Sequence, residues 1–159
     1  MKNSLSSTIR SAMGTSILLF CFSASPVFAE SPGVAGVVGS KIADFSFKVS
    51  SVTYLDDRTS LNMQSTGDVG RFGTVGVTGT FMKPIDAQGT TGQYMANATA
   101  FRPDGVLMSA KIQGAWKALG KHRWQVKTIG VNTEGKSTFS VGVVELATMS
   151  FNGSVYNLD

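Results

Sequence analysis

The chain has 159 residues, of which 42% are hydrophobic and 15% charged, and its formal net charge is +4. Low charge with ample apolar content is typical of a folded chain, and this length suits one domain. Because the sequence holds one Cys and one His, it excludes a disulfide framework, a zinc finger and a metal centre built from several histidines. We therefore expect neither a bound metal nor another cofactor.

Residues 1–29 have the layout of a secretory signal peptide. Lys2 and Arg10 precede a short apolar run, and Val27 and Ala29 are residues expected just before a cleavage site. The run is far shorter than the ~18 residues needed to span a bilayer. We predict export to a bacterial periplasm or to the exterior, with cleavage after Ala29. Cleavage would remove two basic residues and no acid, so the formal charge falls from +4 to +2.

The rest of the sequence predicts a flexible lead-in over 30–40 and an all-β domain over 41–159. The lead-in is rich in Gly, Val and Ser and has no fixed period. From residue 41 onward, short β-prone segments alternate with turn residues, and no sustained helical period is present. We predict eight strands, near 42–54, 60–67, 72–82, 92–101, 106–117, 122–131, 137–145 and 149–157.

Short connections imply that each strand pairs with the next in antiparallel fashion. Eight such strands can close into an up-and-down β-barrel, which leaves no exposed edge and can hold one small ligand. A two-sheet β-sandwich is the alternative, although its crossings usually need longer connections. Asp56 and Asp57 suit a turn better than a calcium site, because an isolated acidic pair lacks the additional oxygen ligands.

Alternation of apolar and polar residues predicts which side chains face the interior. In the first and third strands these are Phe45, Phe47, Val49, Val75, Val77 and Phe81. Three glycines in the third strand weaken it but permit the sharp bending that a small barrel needs.

The fourth and fifth strands meet at Pro103-Asp104-Gly105, which favours a type I turn followed by a bulge. This turn pairs Arg102 with Val106. It also places four alanines on the inner face, which we call the alanine row: Ala96, Ala98, Ala100 and Ala110. Alanine fills little volume, so either Phe and Trp from other strands occupy the space or a cavity remains. We predict that a ligand would contact Tyr94, Ala96, Ala98, Met108, Ile112, Trp116 and Trp124.

The sixth and seventh strands contain the one pair suited to acid–base chemistry. The hydrophobic pattern sets His122 opposite Glu145, both facing inward at one end of the barrel, although a three-residue loop ending at Gly135 would slip this pairing by one residue. A carboxylate beside an imidazole can supply a proton donor or acceptor. If the two side chains are solvated instead, the pair has no catalytic role. The same pattern turns three side chains of the seventh strand inward, those of Phe139, Val141 and Val143.

Five basic residues, and no acidic one, occur between Asp104 and Glu134. We predict them on the outer face of one hairpin and call them the basic stripe: Lys111, Lys117, Lys121, Arg123 and Lys127. Such a surface suits anionic lipid headgroups or an acidic partner, or is simply a solvated strand face. Nucleic acid is not expected, because the exposed face lacks interleaved aromatic side chains.

The eight short strands, with Trp116 and Trp124 in one hairpin and Phe151-Asn152-Gly153 in the last strand, resemble the calycin-type small barrels. These include lipocalin-like and allene-oxide-cyclase-like domains, and the resemblance covers residues 41–159 at the level of architecture. The lipocalin Gly-x-Trp motif is absent, so no functional residue is carried over. Such barrels commonly bind small apolar molecules, and some cyclise or isomerise them, so the resemblance implies a ligand inside the barrel.

We therefore expect an exported single-domain barrel that binds a small hydrophobic or amphipathic ligand in its interior. One alternative is a cofactor-free isomerase or cyclase that uses His122 and Glu145. The other is an envelope interaction protein that works through the basic stripe and forms homo-oligomers.

Overall fold

The computed structural model describes residues 38–55, 61–84 and 88–158, without the side chains of Lys83 and Pro84. The predicted signal peptide, most of the lead-in and the Asp56-Asp57 turn lie outside these residues. The end of the lead-in belongs to the sheet: the Gly39 amide donates to the Asn157 carbonyl at 2.9 Å, and the Asn157 amide donates to the Ser40 carbonyl at 3.0 Å.

Eight antiparallel strands form a closed barrel in which each strand pairs with the next and the last pairs with the first. They are β1 (Lys41–Tyr54), β2 (Leu61–Asp68), β3 (Thr74–Pro84), β4 (Thr91–Phe101), β5 (Leu107–Gly120), β6 (Arg123–Asn132), β7 (Ser137–Glu145) and β8 (Ser150–Asn157). The predicted fold class is confirmed, and the sandwich is excluded because its sheets would have free edges. A closed eight-stranded antiparallel barrel is also the architecture of the calycin-type proteins.

One short helical turn interrupts the meander. Gly70–Phe72 forms a 3-10 turn between β2 and β3. Within the described parts of the chain, no helix is long and apolar enough to cross a bilayer.

The β4–β5 hairpin forms as predicted from its turn residues. Gly105 has a φ of 81°, in the left-handed region, and the Arg102 amide donates to the Val106 carbonyl at 3.2 Å. The bulge sets the register that pairs Ala98 with Ala110. The alanine row consequently faces the barrel interior.

Bulky side chains fill the half of the barrel near the β5–β6 turn, which we call the filled end. The Phe81 ring centroid lies 4.9 Å from that of Tyr94, 6.5 Å from that of Trp116 and 6.1 Å from that of Trp124. The Trp116 indole also donates to the Met82 carbonyl at 3.1 Å, beside the register shift in β3. Full burial of an aromatic side chain contributes roughly 1.5–3 kcal/mol, so this half supplies much of the barrel's stability.

The predicted pairing of β6 with β7 is wrong by one residue. The register that sets His122 opposite Glu145 also sets Trp124 opposite Val143, whereas in the structure Trp124 pairs with Val144. As a result β7 directs its even-numbered side chains inward, and Gly142 and Val144 are buried. The three side chains predicted inside lie on the outer face, those of Phe139, Val141 and Val143.

The turn between β6 and β7 causes this difference. The Asn132 amide donates to the Lys136 carbonyl at 3.1 Å, and Gly135 has a φ of 79°. The Asn132 side-chain oxygen also accepts from the Glu134 and Lys136 amides, at 3.0 and 2.9 Å. This is a three-residue loop with a glycine bulge, and a shift of one residue moves every side chain to the other face.

Candidate functional site

A cavity of about 120 Å³ lies inside the barrel. Three residues of the alanine row lie on one wall, and Phe45 and Phe47 of β1 lie on another; the three are Ala98, Ala100 and Ala110. The alanine side chains end at Cβ, and space remains between these two walls. The sequence allowed either an interior filled by Phe and Trp side chains or a cavity beside the alanine row. The structure has the cavity.

Hydroxyl groups are the main polar feature of the cavity wall. Thr128 and Ser140 are paired on neighbouring strands, and their hydroxyl oxygens lie 2.6 Å apart. The Thr138 side chain also lines the cavity. None of the described residues around this space carries a charged side chain.

Tyr94 lines the cavity at its boundary with the filled end. The residue is 2% exposed, and its hydroxyl has no hydrogen-bond partner among the described residues. This hydroxyl lies against Gly79, at a point that a Cβ on β3 would occupy. Burial raises the pKa of Tyr94, so the phenol stays protonated at neutral pH.

A second hollow, of about 220 Å³, lies at the other end of the barrel, which we call the open end. It shares Phe72, Met108, Asn132 and Thr138 with the interior cavity. Its rim is charged and consists of Arg71, Arg102, Glu134 and Lys136. An apolar interior thus leads to a polar rim, as an amphipathic ligand would require.

The cations of this rim differ in how they are paired. Arg102 forms ion pairs with Asp104 at 2.7 Å and with Glu134 at 3.3 Å. The Arg71 guanidinium lies 5.2 Å from the centroid of the Phe72 ring and pairs with no acid in the described ranges.

Four of the seven residues predicted to contact a ligand line the cavity: Tyr94, Ala98, Met108 and Ile112. Ala96 is buried but is not part of the lining, and Trp116 and Trp124 pack around Phe81 at the filled end. Sequence reasoning missed several lining residues, namely Phe72, Thr128, Thr138 and Ser140. The Gly135 turn was the available signal for Thr138 and Ser140, because its bulge decides which face of β7 is inside.

His122 and Glu145 do not form the predicted inward-facing pair. His122 is exposed in a tight turn and has a φ of 57°, and its carbonyl accepts from the Leu146 amide at 3.1 Å. Arg123 lies opposite Glu145, whose carboxylate accepts from the Thr148 hydroxyl at 3.3 Å. The one-residue shift of β7 turns Glu145 outward, so neither side chain reaches the cavity.

The basic stripe lies exposed along β5, β6 and the turn between them. None of its five side chains forms an ion pair with a described residue, although Glu145 lies across from Arg123. Large apolar side chains are exposed on the same two strands, with Leu119 at 45%, Ile129 at 51% and Val131 at 49%. The outer face of this hairpin is therefore both cationic and apolar.

No group of three or more His, Cys, Asp or Glu side chains in the described ranges could hold a metal ion. No protein-family model matches the sequence, no curated protein matches it, and no solved structure matches the chain.

Proposed function

We propose that the barrel binds a small apolar or amphipathic molecule in its interior. The observation that carries this proposal is the cavity of about 120 Å³ behind the alanine row. The mostly apolar side chains that line this cavity lack packing partners on one side. A ligand that fills it recovers packing, and an apolar cavity of about 150 Å³ in another protein binds benzene.

The resemblance to calycin-type barrels supports the same function, because lipocalin-like proteins commonly hold small apolar molecules. Together with the predicted signal peptide, it favours a binding protein of the periplasm or the exterior. The isomerase or cyclase alternative stays a prediction from the sequence, and the positions of His122 and Glu145 do not support it.

The test compares two alanine-to-leucine variants of β5. Ala110 lines the cavity, whereas Ala115 is exposed on the outer face of the same strand. We expect methylenecyclohexane to raise the melting temperature of the wild type and of Ala115→Leu but not of Ala110→Leu, because the three added carbons occupy the cavity. NMR titration should show the same order of affinity.

Equal binding by both leucine variants would contradict the proposal, as would an absence of binding to the wild type. His122→Ala should bind like the wild type, since this side chain lies outside the cavity. Native mass spectrometry of protein purified from its own host would then give the mass of the natural ligand.

A second function, binding of anionic lipid surfaces, is favoured by the basic stripe. Its cations are exposed without ion pairs in the described structure and lie beside the exposed side chains of Leu119 and Ile129. Cations attract anionic headgroups, while apolar side chains insert between them. We propose that the outer face of β5 and β6 contacts the anionic lipid surface.

Vesicle sedimentation tests the second function. We expect the protein to sediment with phosphatidylglycerol vesicles and not with phosphatidylcholine vesicles. This binding should weaken at high salt and in Lys117→Glu. Lys48→Glu is the matched control, because Lys48 is exposed on β1, across the barrel. Equal loss in both variants would refute a specific role of the stripe, and self-association at this face would appear as a dimer in light scattering.

A further inference from the structure

One short turn lines both the interior cavity and the hollow at the open end, which we call the rim hollow. Val69 and Phe72 line the interior cavity, and Arg71 lines the rim hollow together with Phe72. Two backbone hydrogen bonds close the turn. The Phe72 amide donates to the Val69 carbonyl at 2.9 Å, and the Val69 amide donates to the Gly73 carbonyl at 3.0 Å. The turn therefore places Arg71 where the apolar interior meets the charged rim.

The Arg71 side chain is exposed and lies over an aromatic ring of the cavity wall. Its guanidinium carbon is 5.2 Å from the centroid of the Phe72 ring, a distance at which a cation is attracted to the ring face. The N–H donors lie at the edge of the planar guanidinium, in a fork that matches the two oxygens of a carboxylate. An anion at the rim can therefore bind Arg71 while the rest of the molecule contacts Phe72.

The rim hollow has more positive than negative charge. Three cations and one acid line it: Arg71, Arg102, Lys136 and Glu134. The Glu134 carboxylate lies 3.3 Å from Arg102 and 3.7 Å from Lys136, and Asp104 pairs with Arg102 at 2.7 Å. Two acids against three cations leave one positive charge. Arg71 is the rim cation that has no acidic partner among the described residues.

The interior cavity suits only the uncharged part of a ligand. No described lining residue carries a charged side chain, so a charged group buried there would have no counterion, which is strongly unfavourable. The cavity of about 120 Å³ is somewhat smaller than the apolar cavity of about 150 Å³ that binds benzene in another protein. It therefore takes a short hydrocarbon tail, and a charged head group has to lie at the rim.

Resting on the proposed interior binding, we infer that the ligand is a short amphipathic monocarboxylate whose head group is bound by Arg71. Its tail lies in the interior cavity against Ala98 and Ala110, and its carboxylate accepts hydrogen bonds from the Arg71 guanidinium at the rim. A single negative charge matches the single unpaired rim cation of the described structure, whereas a phosphate dianion would bring a second charge toward Glu134. Arg71 thus selects carboxylates over neutral molecules of the same shape.

Two probes of equal chain length test this inference. Hexanoate carries a carboxylate at neutral pH, and hexanamide has a neutral amide in its place. In NMR titrations we expect hexanoate to bind the wild type more tightly than hexanamide does. Arg71→Gln should weaken hexanoate binding by about 3- to 10-fold, between the worth of an exposed ion pair and that of a charge-assisted hydrogen bond. Hexanamide binding should not change, and high salt should weaken hexanoate binding alone.

Two further variants provide matched controls. Lys48→Gln removes one positive charge from an exposed residue that lines neither space, so it should change neither affinity. Ala110→Leu fills the interior cavity and should weaken binding of both probes, because both tails lie there. In the wild type, NOEs should connect the terminal methyl group of hexanoate with the Ala98 methyl group. Unchanged hexanoate binding by Ala110→Leu would place the tail elsewhere and overturn the inference.

The remaining outcomes separate this inference from the proposed function. If Arg71→Gln changes neither affinity, or changes both equally, Arg71 does not recognise a carboxylate and the inference is wrong while interior binding stands. If Lys48→Gln weakens hexanoate binding as much as Arg71→Gln does, net charge is responsible and the inference is again wrong. If methylenecyclohexane binds the wild type but hexanoate does not, only the inference fails. If neither molecule binds, the proposed interior binding fails and the inference fails with it.

Discussion

The phenol oxygen of Tyr94 lies against Gly79 on the neighbouring strand, where no other residue would leave room for it. The two residues are not directly paired: Gly79 pairs with Ala96, and Tyr94 pairs with Phe81. The ring therefore leans along the barrel axis and closes the floor of the cavity. The absence of a Cβ at Gly79 thus sets the orientation of a buried and unpaired hydroxyl.

Gly79→Ala should destabilise the barrel by about 1–3 kcal/mol, because the new Cβ forces the Tyr94 ring to move within a packed interior. Urea denaturation measures this change. Adding Tyr94→Phe should recover part of the loss, since the closest overlapping atom is then absent. Gly76→Ala is the control: a Cβ there meets nothing within 4 Å, so it should be neutral or slightly stabilising. Equal losses at both glycines would contradict the packing described above.

Trp116→Phe should cost about 2 kcal/mol, because it removes the hydrogen bond to the Met82 carbonyl and part of the buried ring. Trp124→Phe is the comparison. Trp124 is only half-buried, and its indole makes no hydrogen bond with a described residue, so the loss should be smaller. Chemical denaturation of both variants gives the difference. A larger loss at Trp124 would show that the indole hydrogen bond contributes little.

A double-mutant cycle at Thr128 and Ser140 tests the β6–β7 register. Thr128→Val and Ser140→Ala should each leave one buried hydroxyl unpaired, while the double variant leaves none. We expect a coupling free energy of about 1 kcal/mol. With the register predicted from the hydrophobic pattern, Thr128 would face Phe139, and no coupling would arise. Thr138→Val, which removes a hydroxyl with no partner among the described residues, should combine additively with Thr128→Val.

Asp44 should make a small, pH-dependent contribution to stability. The Ser154 hydroxyl donates to its carboxylate at 2.6 Å and Lys41 donates at 2.9 Å, and these contacts lower the pKa of Asp44 below its ordinary value of 3.8. A lower pKa in the folded state means that the stabilisation is present above the unfolded-state pKa and is lost as the pH falls through the folded-state value. Because the site is exposed, the effect should be small and screened by salt.

Urea denaturation across pH 2–7 checks this linkage against Asp44→Asn. The difference in unfolding free energy between the two proteins should be constant at neutral pH and shrink below about pH 4. In a Ser154→Ala background the same comparison should show a smaller change, because the Ser154 hydroxyl is the largest cause of the lowered pKa of Asp44. A wild-type advantage that persists at the lowest pH would mean that packing, not charge, is responsible.

Local rules in the sequence account for most of the fold. Alternation in β1, β3, β4 and β5 identified their inner faces, since the side-chain period of a strand is a local property. The Pro103-Asp104-Gly105 turn determined its hairpin register in the same way, because turn geometry depends on the turn residues themselves. The short connections then required neighbouring strands to pair, and eight such strands formed a closed barrel.

The tertiary structure decided the remaining points. In β7 alternation selected the wrong face, because Phe139, Val141 and Val143 all lie on one side of the strand, whereas the bulge at Gly135 turns that side outward. Whether the alanine row faced a filled core or a cavity depended on which side chains reached it from across the barrel, a relationship between strands distant in sequence. Tyr94 is a further case. The alternation pattern predicted that its side chain lies in the apolar interior, but the position of its hydroxyl depends on Gly79 of the neighbouring strand. Sequence determined the barrel because its rules are local, whereas the site arises from contacts that exist only after closure.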